Sequence, residues 1–128
     1  MAVGFLVDTN IFLEILLLQN KKEECKSFLQ SSSQPLFISD FSLHSIGVIL
    51  FNQDKQNIYT SFCEDVFRKI RICTLSHQQY YTLEKISADY QLDFDDSYQL
   101  LLAKTHDYKI ITMDQDFRNI NPELTYFL

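Results

Sequence analysis

Aspartates follow the most apolar short segments of this chain. Asp8 comes directly after residues 3–7, Asp114 comes directly after residues 109–113, and Asp96 opens a helix-like stretch. Short apolar runs that end in an acidic residue are typical of parallel strands that carry carboxylates to one edge of a sheet, which is where open α/β sheets bind ligands. Carboxylates gathered at one edge can hold a hard divalent cation. The pattern therefore predicts a metal site.

Each aspartate taken alone has a simpler structural explanation. Aspartate is favoured at the N-cap and in the first turn of a helix, where it meets the positive end of the helix dipole. That explanation weakens for the set, because Asp8, Asp96 and Asp114 all fall at strand-to-helix junctions on the same predicted edge. Carboxylates placed together repel and raise each other's pKa, and a bound cation removes that cost.

Two other kinds of acidic site on parallel sheets match poorly. A phospho-acceptor receiver domain carries paired acids after its first strand, whereas this first apolar segment ends in the single Asp8. A haloacid-dehalogenase-like phosphatase needs two aspartates two residues apart at that place, and Asn10 occupies the second position here. Neither class fits the sequence.

The elements that must position these residues alternate between strands and helices. Strands are predicted at residues 3–7, 36–38, 70–75, 109–113 and 125–127. Helices are predicted at residues 11–19, 23–29, 40–51, 59–70, 77–90 and 96–105, with N-caps at Thr9 or Asn10, Ser39 and Ser76. Strands separated by helices indicate βαβ units. We therefore predict an α/β fold, a single three-layer domain over residues 1–128 with a central, mostly parallel sheet flanked by helices.

Composition agrees with such a domain. The chain has 128 residues, of which 46% are hydrophobic, and it contains 11 Phe and 7 Tyr, which excludes a disordered chain. Only two glycines and two prolines argue against a turn-rich β-sandwich. No apolar run approaches membrane-spanning length, and no secretory leader is present, so we expect a cytosolic protein whose three cysteines are reduced.

The net charge of −6 is unusual for a protein that binds nucleic acid. A carboxylate metal site would supply part of the excess, and bound cations would offset it. The only basic cluster, residues 68–71, is either a solvated face or a contact to an RNA backbone. Isolated candidates for phosphate contacts are Lys55, Lys104 and Arg118.

Four segments together resemble the PIN domain, the fold of the VapC-type toxin ribonucleases and of related metal-dependent nucleases. The segments are residues 6–12, with Asp8-Thr9-Asn10; Ile38-Ser39; Asp96 with Ala103 seven positions later; and residues 111–117, with Asp114 and Asp116. They occur in the order and spacing of the family and cover nearly the whole chain.

The resemblance implies a divalent-metal-dependent ribonuclease that hydrolyses RNA phosphodiester bonds, and specifically the toxin of a toxin–antitoxin pair. In such an enzyme Mg²⁺ or Mn²⁺ activates water as the nucleophile and neutralises charge on the phosphate. The implied catalytic and metal-binding carboxylates are Asp8, Asp96, Asp114 and Asp116, the last as an accessory acid. Asn10 is implied to orient Asp8, and the Thr112 hydroxyl to contact a phosphate or a ligating carboxylate.

One position departs from the family pattern. The family places a glutamate six residues beyond the serine that corresponds to Ser39, and this chain has Ser45 there, with His44 beside it. His44 is either a metal ligand or proton carrier, or a structural histidine. Glu14 is either a substitute acid or a solvated residue. The missing glutamate leaves a second hypothesis open, a catalytically degenerate PIN-like module that binds RNA or a protein partner without cleavage.

The partners implied by the resemblance are RNA, an antitoxin protein and a second copy of the chain, with no membrane. The leucine-rich residues 15–18 are more apolar than a half-exposed helix requires. They are core, a homodimer surface or a groove for an antitoxin peptide.

Overall fold

Five parallel strands form the centre of the protein, and helices cover both faces of their sheet. The structure is a computed structural model that describes residues 2–128. The strands are β1 (Gly4–Val7), β2 (Leu36–Ser39), β3 (Arg71–Cys73), β4 (Tyr108–Thr112) and β5 (Thr125–Phe127). The seven α-helices within residues 2–128 are α1 (Thr9–Leu16), α2 (Lys22–Ser31), α3 (Asp40–Asn52), α4 (Gln56–Val66), α5 (His77–Tyr80), α6 (Leu83–Tyr90) and α7 (Phe94–His106). A short 3-10 helix, Gln115–Phe117, follows β4.

The strand order is β3-β2-β1-β4-β5, and each neighbouring pair is parallel. β1 is the middle strand, with Leu6 opposite Phe37 of β2 and opposite Ile110 of β4. The predicted α/β class with a flanked parallel sheet is confirmed.

Alternate residues of the central strands pack into two cores, one on each face of the sheet. Val7 and Ile111 pack against α1 to α4, whereas Leu6 and Ile110 pack against α6 and α7. All four side chains are fully buried. Strands covered on both faces are apolar throughout, which explains the unbroken hydrophobic runs of the sequence.

Two of the three predicted helix N-caps are confirmed by the structure. Ser39 and Ser76 cap α3 and α5, and Ser76 forms a full capping box with Gln79. The prediction of Thr9 or Asn10 as the first cap is wrong. Asp8 caps α1 because its backbone is still extended and its side chain accepts a hydrogen bond from the Thr9 amide.

The helix predicted over residues 77–90 is broken into α5 and α6. The Gln79 carbonyl accepts hydrogen bonds from both the amide and the hydroxyl of Thr82, at 3.0 and 2.7 Å. A threonine hydroxyl that bonds back to the preceding turn competes with the regular helical pattern. The break therefore has a local cause.

The sequence predicts reduced cysteines and no membrane-spanning segment. Cys25, Cys63 and Cys73 are free thiols, of which Cys25 is buried and the other two are half-buried. Among residues 2–128, none of the helices has the length and apolar character needed to cross a bilayer.

Gly4 leaves room for the Phe37 side chain of β2 to lie against β1. A Cβ at this position would lie 2.7 Å from Cε2 of Phe37 and 3.1 Å from the Pro35 carbonyl oxygen. The Phe37 ring is stacked on Tyr108, with the ring centroids 4.1 Å apart, and has little freedom to move away. We expect Gly4→Ala to lower the free energy of unfolding by about 1–3 kcal/mol, as measured by urea denaturation.

Gly47→Ala is the matched control. A Cβ at Gly47 would meet the Tyr59 ring at 3.3 Å, and alanine in the middle of α3 gains about 0.5–1 kcal/mol of helix propensity. The two effects nearly cancel, so this variant should unfold close to wild type. Equal losses in the two variants would contradict the role assigned to Gly4.

Candidate active site

The two central strands bring the first pair of aspartates together. Asp8 directly follows β1, and its amide donates to the Ile111 carbonyl of β4 at 2.9 Å. Asp114 lies two residues beyond β4, where it caps the 3-10 helix and accepts a hydrogen bond from the Asp116 amide at 2.9 Å. The site thus forms at the carboxyl edge of the sheet, as the sequence predicts.

Asp8 is held in one orientation by three hydrogen bonds. Its Oδ1 accepts from the Thr9 amide at 2.8 Å and from Nε2 of Gln99 at 3.2 Å. Its Oδ2 accepts from the Thr112 hydroxyl at 2.7 Å. The residue is 6% exposed, and burial raises its pKa while the hydrogen bonds act in the opposite direction. Asp8 is therefore oriented before any ligand arrives.

Thr112 thus makes one of the two contacts that the resemblance implied, the contact to a carboxylate. Asn10 does not fulfil its implied part. No hydrogen bond among the described residues joins it to Asp8, and the donor in that place is Gln99 from α7. A carboxylate accepts only, so the amide NH₂ of Gln99 must face Asp8.

Gln99 also ties the site to α3. It is 1% exposed, and its Nε2 lies 3.0 Å from the Ser42 hydroxyl, which in turn lies 2.7 Å from the Thr9 hydroxyl. Ser42, fully buried, is the α3 side chain that reaches this network. Ser45, at the position of the family glutamate, is half-buried, and the neighbouring His44 is exposed.

Asp96 lies in the first turn of α7, above the ends of β1 and β4. Its side chain is 8% exposed. Burial raises the pKa of Asp96 to about 8, together with repulsion from Asp114, Asp93, Asp8 and Asp116. Asp96 is the point where the charges of the site converge, and it needs either a proton or a cation.

Asp93 is a member of the site that the sequence reasoning missed. Among residues 2–128, one group of at least three potential ligands places its ligand atoms within 4.8 Å of one another, and it consists of Asp93, Asp96 and Asp116. Asp93 caps α7, accepting from the Asp96 amide at 2.9 Å. The signal in the sequence was its place three residues before Asp96, the position of an N-cap.

The structure thus brings the predicted acids to one edge without making them one compact set. Asp96 and Asp116 lie close together with Asp93. Asp8 and Asp114 lie outside that group of three, although both are near enough to raise the pKa of Asp96.

The donor set suits a hard divalent cation. Carboxylate oxygens are the ligands that Mg²⁺ prefers, and oxygens around one octahedral ion lie roughly 3 to 4.2 Å apart. The 4.8 Å span of the group therefore needs only a small contraction. Two buried side-chain oxygens, Oδ1 of Asn10 and Oε1 of Gln99, have no hydrogen-bond partner among the described residues. Buried polar atoms are normally satisfied, so these two are available to a ligand or to ordered water.

The other candidate side chains have local partners. Oε2 of Glu14 accepts from the Lys21 amide at 2.7 Å, in the connection between α1 and α2. Lys104 lies over the Tyr90 ring at 4.9 Å. Arg118 bonds to Gln115 and lies 5.0 Å from the centre of the Phe127 ring.

The basic residues 68–71 and Lys55 lie elsewhere. The cluster 68–71 includes the first residue of β3 and therefore lies at the amino edge, opposite the acids. Lys55 is the N-cap residue of α4.

A parallel α/β sheet that carries aspartates on its carboxyl edge defines a class of acidic-site domains. A sequence model of the PIN domain matches residues 5–121. The chain therefore belongs to the PIN domain family. PIN domains as a class are nucleases, which supports a hydrolase at this coarse level.

Solved structures share the fold over nearly the whole chain. A toxin–antitoxin complex from Klebsiella pneumoniae is similar with 21% identity, coverage of 96% of both chains and a TM-score of 0.76. The VapBC2 complex from Rickettsia felis, bound to a DNA fragment from its own promoter, gives 14% identity, coverage of 96% of this chain and 97% of that chain, and a TM-score of 0.75. VapC20 from Mycobacterium tuberculosis, a sarcin–ricin loop cleaving toxin, gives 12% identity, coverage of 90% and 93%, and a TM-score of 0.70. Comparison with curated protein sequences gives no significant match.

Proposed function

We propose that this chain, as a single PIN-like domain, is a divalent-metal-dependent ribonuclease that hydrolyses RNA phosphodiester bonds as the toxin of a toxin–antitoxin pair. The observation that carries the proposal is the convergence of four other carboxylates on Asp96, whose pKa is raised to about 8 by its burial and by this repulsion. A protein gains nothing in stability from such repulsion, whereas a cation site requires it. The proposed site of action is the cytoplasm.

The proposed metal ligands are Asp8, Asp96, Asp114 and Asp116, with Asp93 added by its distance to Asp96 and Asp116. Mg²⁺ or Mn²⁺ bound there would supply positive charge to the phosphate and a nucleophile from water. The chain's own residues hold the carboxylates in place: Thr112 and Gln99 orient Asp8. Asn10, Thr112, His44 and Ser45 remain proposed substrate or supporting positions.

The missing glutamate does not leave the site short of acids. Asp93 restores the number of carboxylates, and it does so from the helix that carries Asp96. This favours an active nuclease over the catalytically degenerate module. The degenerate module is the alternative that the test below distinguishes.

The proposed binding surface for an antitoxin is an apolar groove between three helices. An apolar groove of about 420 Å³ runs between α1, α2 and α4, with Leu16, Leu29 and Phe62 in its lining. Apolar grooves of this kind accept an amphipathic helix of a partner. The toxin–antitoxin complexes among the structural neighbours support such a partner. A second copy of the chain is the other proposed occupant.

The proposal is tested by RNA cleavage under defined metal conditions. Purified protein is incubated with single-stranded and hairpin RNA in Mg²⁺, in Mn²⁺ and in EDTA. We expect products only with metal, and a loss of activity on the order of 100-fold or more in Asp8→Asn, which keeps the shape of the side chain and removes its charge.

The matched control is Asp107→Asn at the far end of α7. Asp107 is exposed and has left-handed backbone, with φ of 58°, which asparagine tolerates. This variant should cleave like wild type. Equal cleavage by wild type and Asp8→Asn, or no cleavage with any metal, would refute the nuclease. RNA binding without cleavage would support the degenerate module.

A further inference from the structure

An aromatic cluster lies beside the carboxylates at the same edge of the sheet. The Tyr98 ring is its centre, with ring centroids of Phe41, Tyr80 and Phe94 at 5.8, 6.0 and 6.5 Å. Phe94 directly follows Asp93, and Phe41 directly precedes Ser42, so the cluster adjoins the acidic site on both α7 and α3.

The topology explains why acids and aromatics lie side by side. Phe41 belongs to the helix after β2, and Tyr80 belongs to the helix after β3. Asp8 and Asp114 follow β1 and β4. In the strand order β3-β2-β1-β4-β5, one half of the carboxyl edge therefore carries acids and the adjacent half carries aromatic rings.

The central ring of the cluster is buried and hydrogen-bonded, whereas two of the outer rings are exposed to solvent. Tyr98 is 3% exposed, and its hydroxyl donates to Oδ1 of Asp40 at 2.6 Å and accepts from the Leu75 amide at 3.3 Å. Phe94 and Tyr80, in contrast, are 57% and 46% exposed. Two rings are thus held in place while much of their surface faces solvent.

The charge of the site limits what these rings can bind. Each charged group that acts on Asp96 is another carboxylate, and the chain carries a net charge of −6. Phosphate contacts outside the cation site are therefore disfavoured. A nucleobase is uncharged, and aromatic side chains bind unpaired bases by stacking, with little dependence on sequence.

We infer that Phe94, with Tyr80 and Phe41, forms a stacking platform for an unpaired nucleobase of single-stranded RNA that is held at the carboxylates. The inference rests on the proposed function, since it assigns a base-binding role next to the proposed cleavage site. It predicts that bases, and not phosphates alone, contribute to substrate affinity.

The test compares normal with abasic RNA. Binding of a labelled single-stranded 10-mer is measured in Ca²⁺, a hard cation that also prefers carboxylate oxygens. The same backbone is then measured without bases. Wild type should bind the abasic strand about 5- to 100-fold more weakly, and Phe94→Ala should lose most of this discrimination. KM for cleavage should rise by a similar factor in this variant, with kcat little changed.

Two further variants control the result. Phe67 is 52% exposed but follows α4 at the amino edge of the sheet, so Phe67→Ala should bind as wild type does. The chain contains no tryptophan, so Phe94→Trp introduces a single tryptophan, whose emission can be followed separately from that of the seven tyrosines, and keeps an aromatic ring. Its emission should change with the normal strand and not with the abasic strand.

Several results would overturn the inference. RNA affinities of Phe94→Ala and Phe67→Ala that agree within about twofold would show that the platform is absent. If wild type cleaves RNA but binds normal and abasic RNA equally, the stacking platform is refuted while the proposed nuclease activity is supported. Failure of wild type to bind or cleave any RNA would remove both. A dimer that dissociates in Phe94→Ala, seen by sedimentation, would make the patch a contact between copies instead.

Discussion

Replacement of Asp96 by asparagine is expected to raise the melting temperature of the metal-free protein at pH 8 while it abolishes RNA cleavage. Asp96 is 8% exposed among four other carboxylates, and asparagine has nearly the same shape without the charge. The variant loses the central proposed ligand, so activity should fall on the order of 100-fold or more. Its metal-free fold, however, is relieved of repulsion.

The sign of this effect follows from the pKa of Asp96. The folded protein holds a proton on Asp96 up to about pH 8, whereas the carboxyl releases it near 3.8 in the unfolded chain. Because the folded state binds more protons between these values, stability falls as pH rises from about 4 to about 8. One pKa unit corresponds to about 1.4 kcal/mol, and shared repulsion reduces the total, so the loss should be on the order of a few kcal/mol. Asparagine does not titrate, and its curve should be flatter.

Thermal unfolding at pH 5 and pH 8 in EDTA measures the effect, with Asp107→Asn as the control that should follow wild type. Addition of Mn²⁺ should raise the melting temperature of wild type more at pH 8 than at pH 5, since protons compete with the metal. The response should be much smaller in Asp96→Asn. Lower metal-free stability of Asp96→Asn than of wild type at pH 8 would refute the argument.

Replacement of Gln99 by leucine is expected to weaken Mn²⁺ binding and kcat/KM about 10- to 100-fold, although Gln99 is not a proposed ligand. The side chain donates to Asp8 at 3.2 Å and contacts Ser42 at 3.0 Å. Leucine fills a similar volume and removes both contacts. Asp8 then keeps its bonds from Thr9 and Thr112 but loses the third hydrogen bond that fixes its orientation.

Calorimetric titration with Mn²⁺ measures this effect without reference to activity. Ser42→Ala is the matched control, because it removes the other contact of Gln99 and leaves the bond to Asp8 intact. Its effect on Mn²⁺ affinity should be smaller than that of Gln99→Leu. If both variants bind Mn²⁺ as wild type does, Gln99 has only a packing role.

The parts of the site that the sequence could predict are those attached to strand ends. Asp8 and Asp114 follow apolar runs, and the parallel sheet brings them to one edge without further information. Ser39 and Ser76 were predictable as caps because capping depends on neighbouring residues.

The parts that could not be predicted depend on how α7 lies over the sheet. Gln99 stands in an apolar helix and gives no sign in the sequence that it meets Asp8, 91 positions away. The family resemblance implied that Asn10 orients Asp8, yet the side chains that donate to Asp8 in the described structure are Gln99 and Thr112. In the sequence Asp93 has only the features of a helix N-cap, and its closeness to Asp116 is visible only in the structure.

The central position of β1 has a consequence for the newly made chain. β1 is synthesised before its neighbour β4, which pairs with it from more than one hundred residues later, with Gly4 opposite Tyr108. Pairing between segments so distant in sequence carries a loop-closure cost, and it requires that both segments have been synthesised. Before β4 and the residues after it are synthesised, Asp8 lacks its neighbours Thr112, Asp114 and Asp116. A partly translated chain therefore has no complete acidic site. The topology therefore keeps the acidic site incomplete until β4 and the residues that follow it have been made.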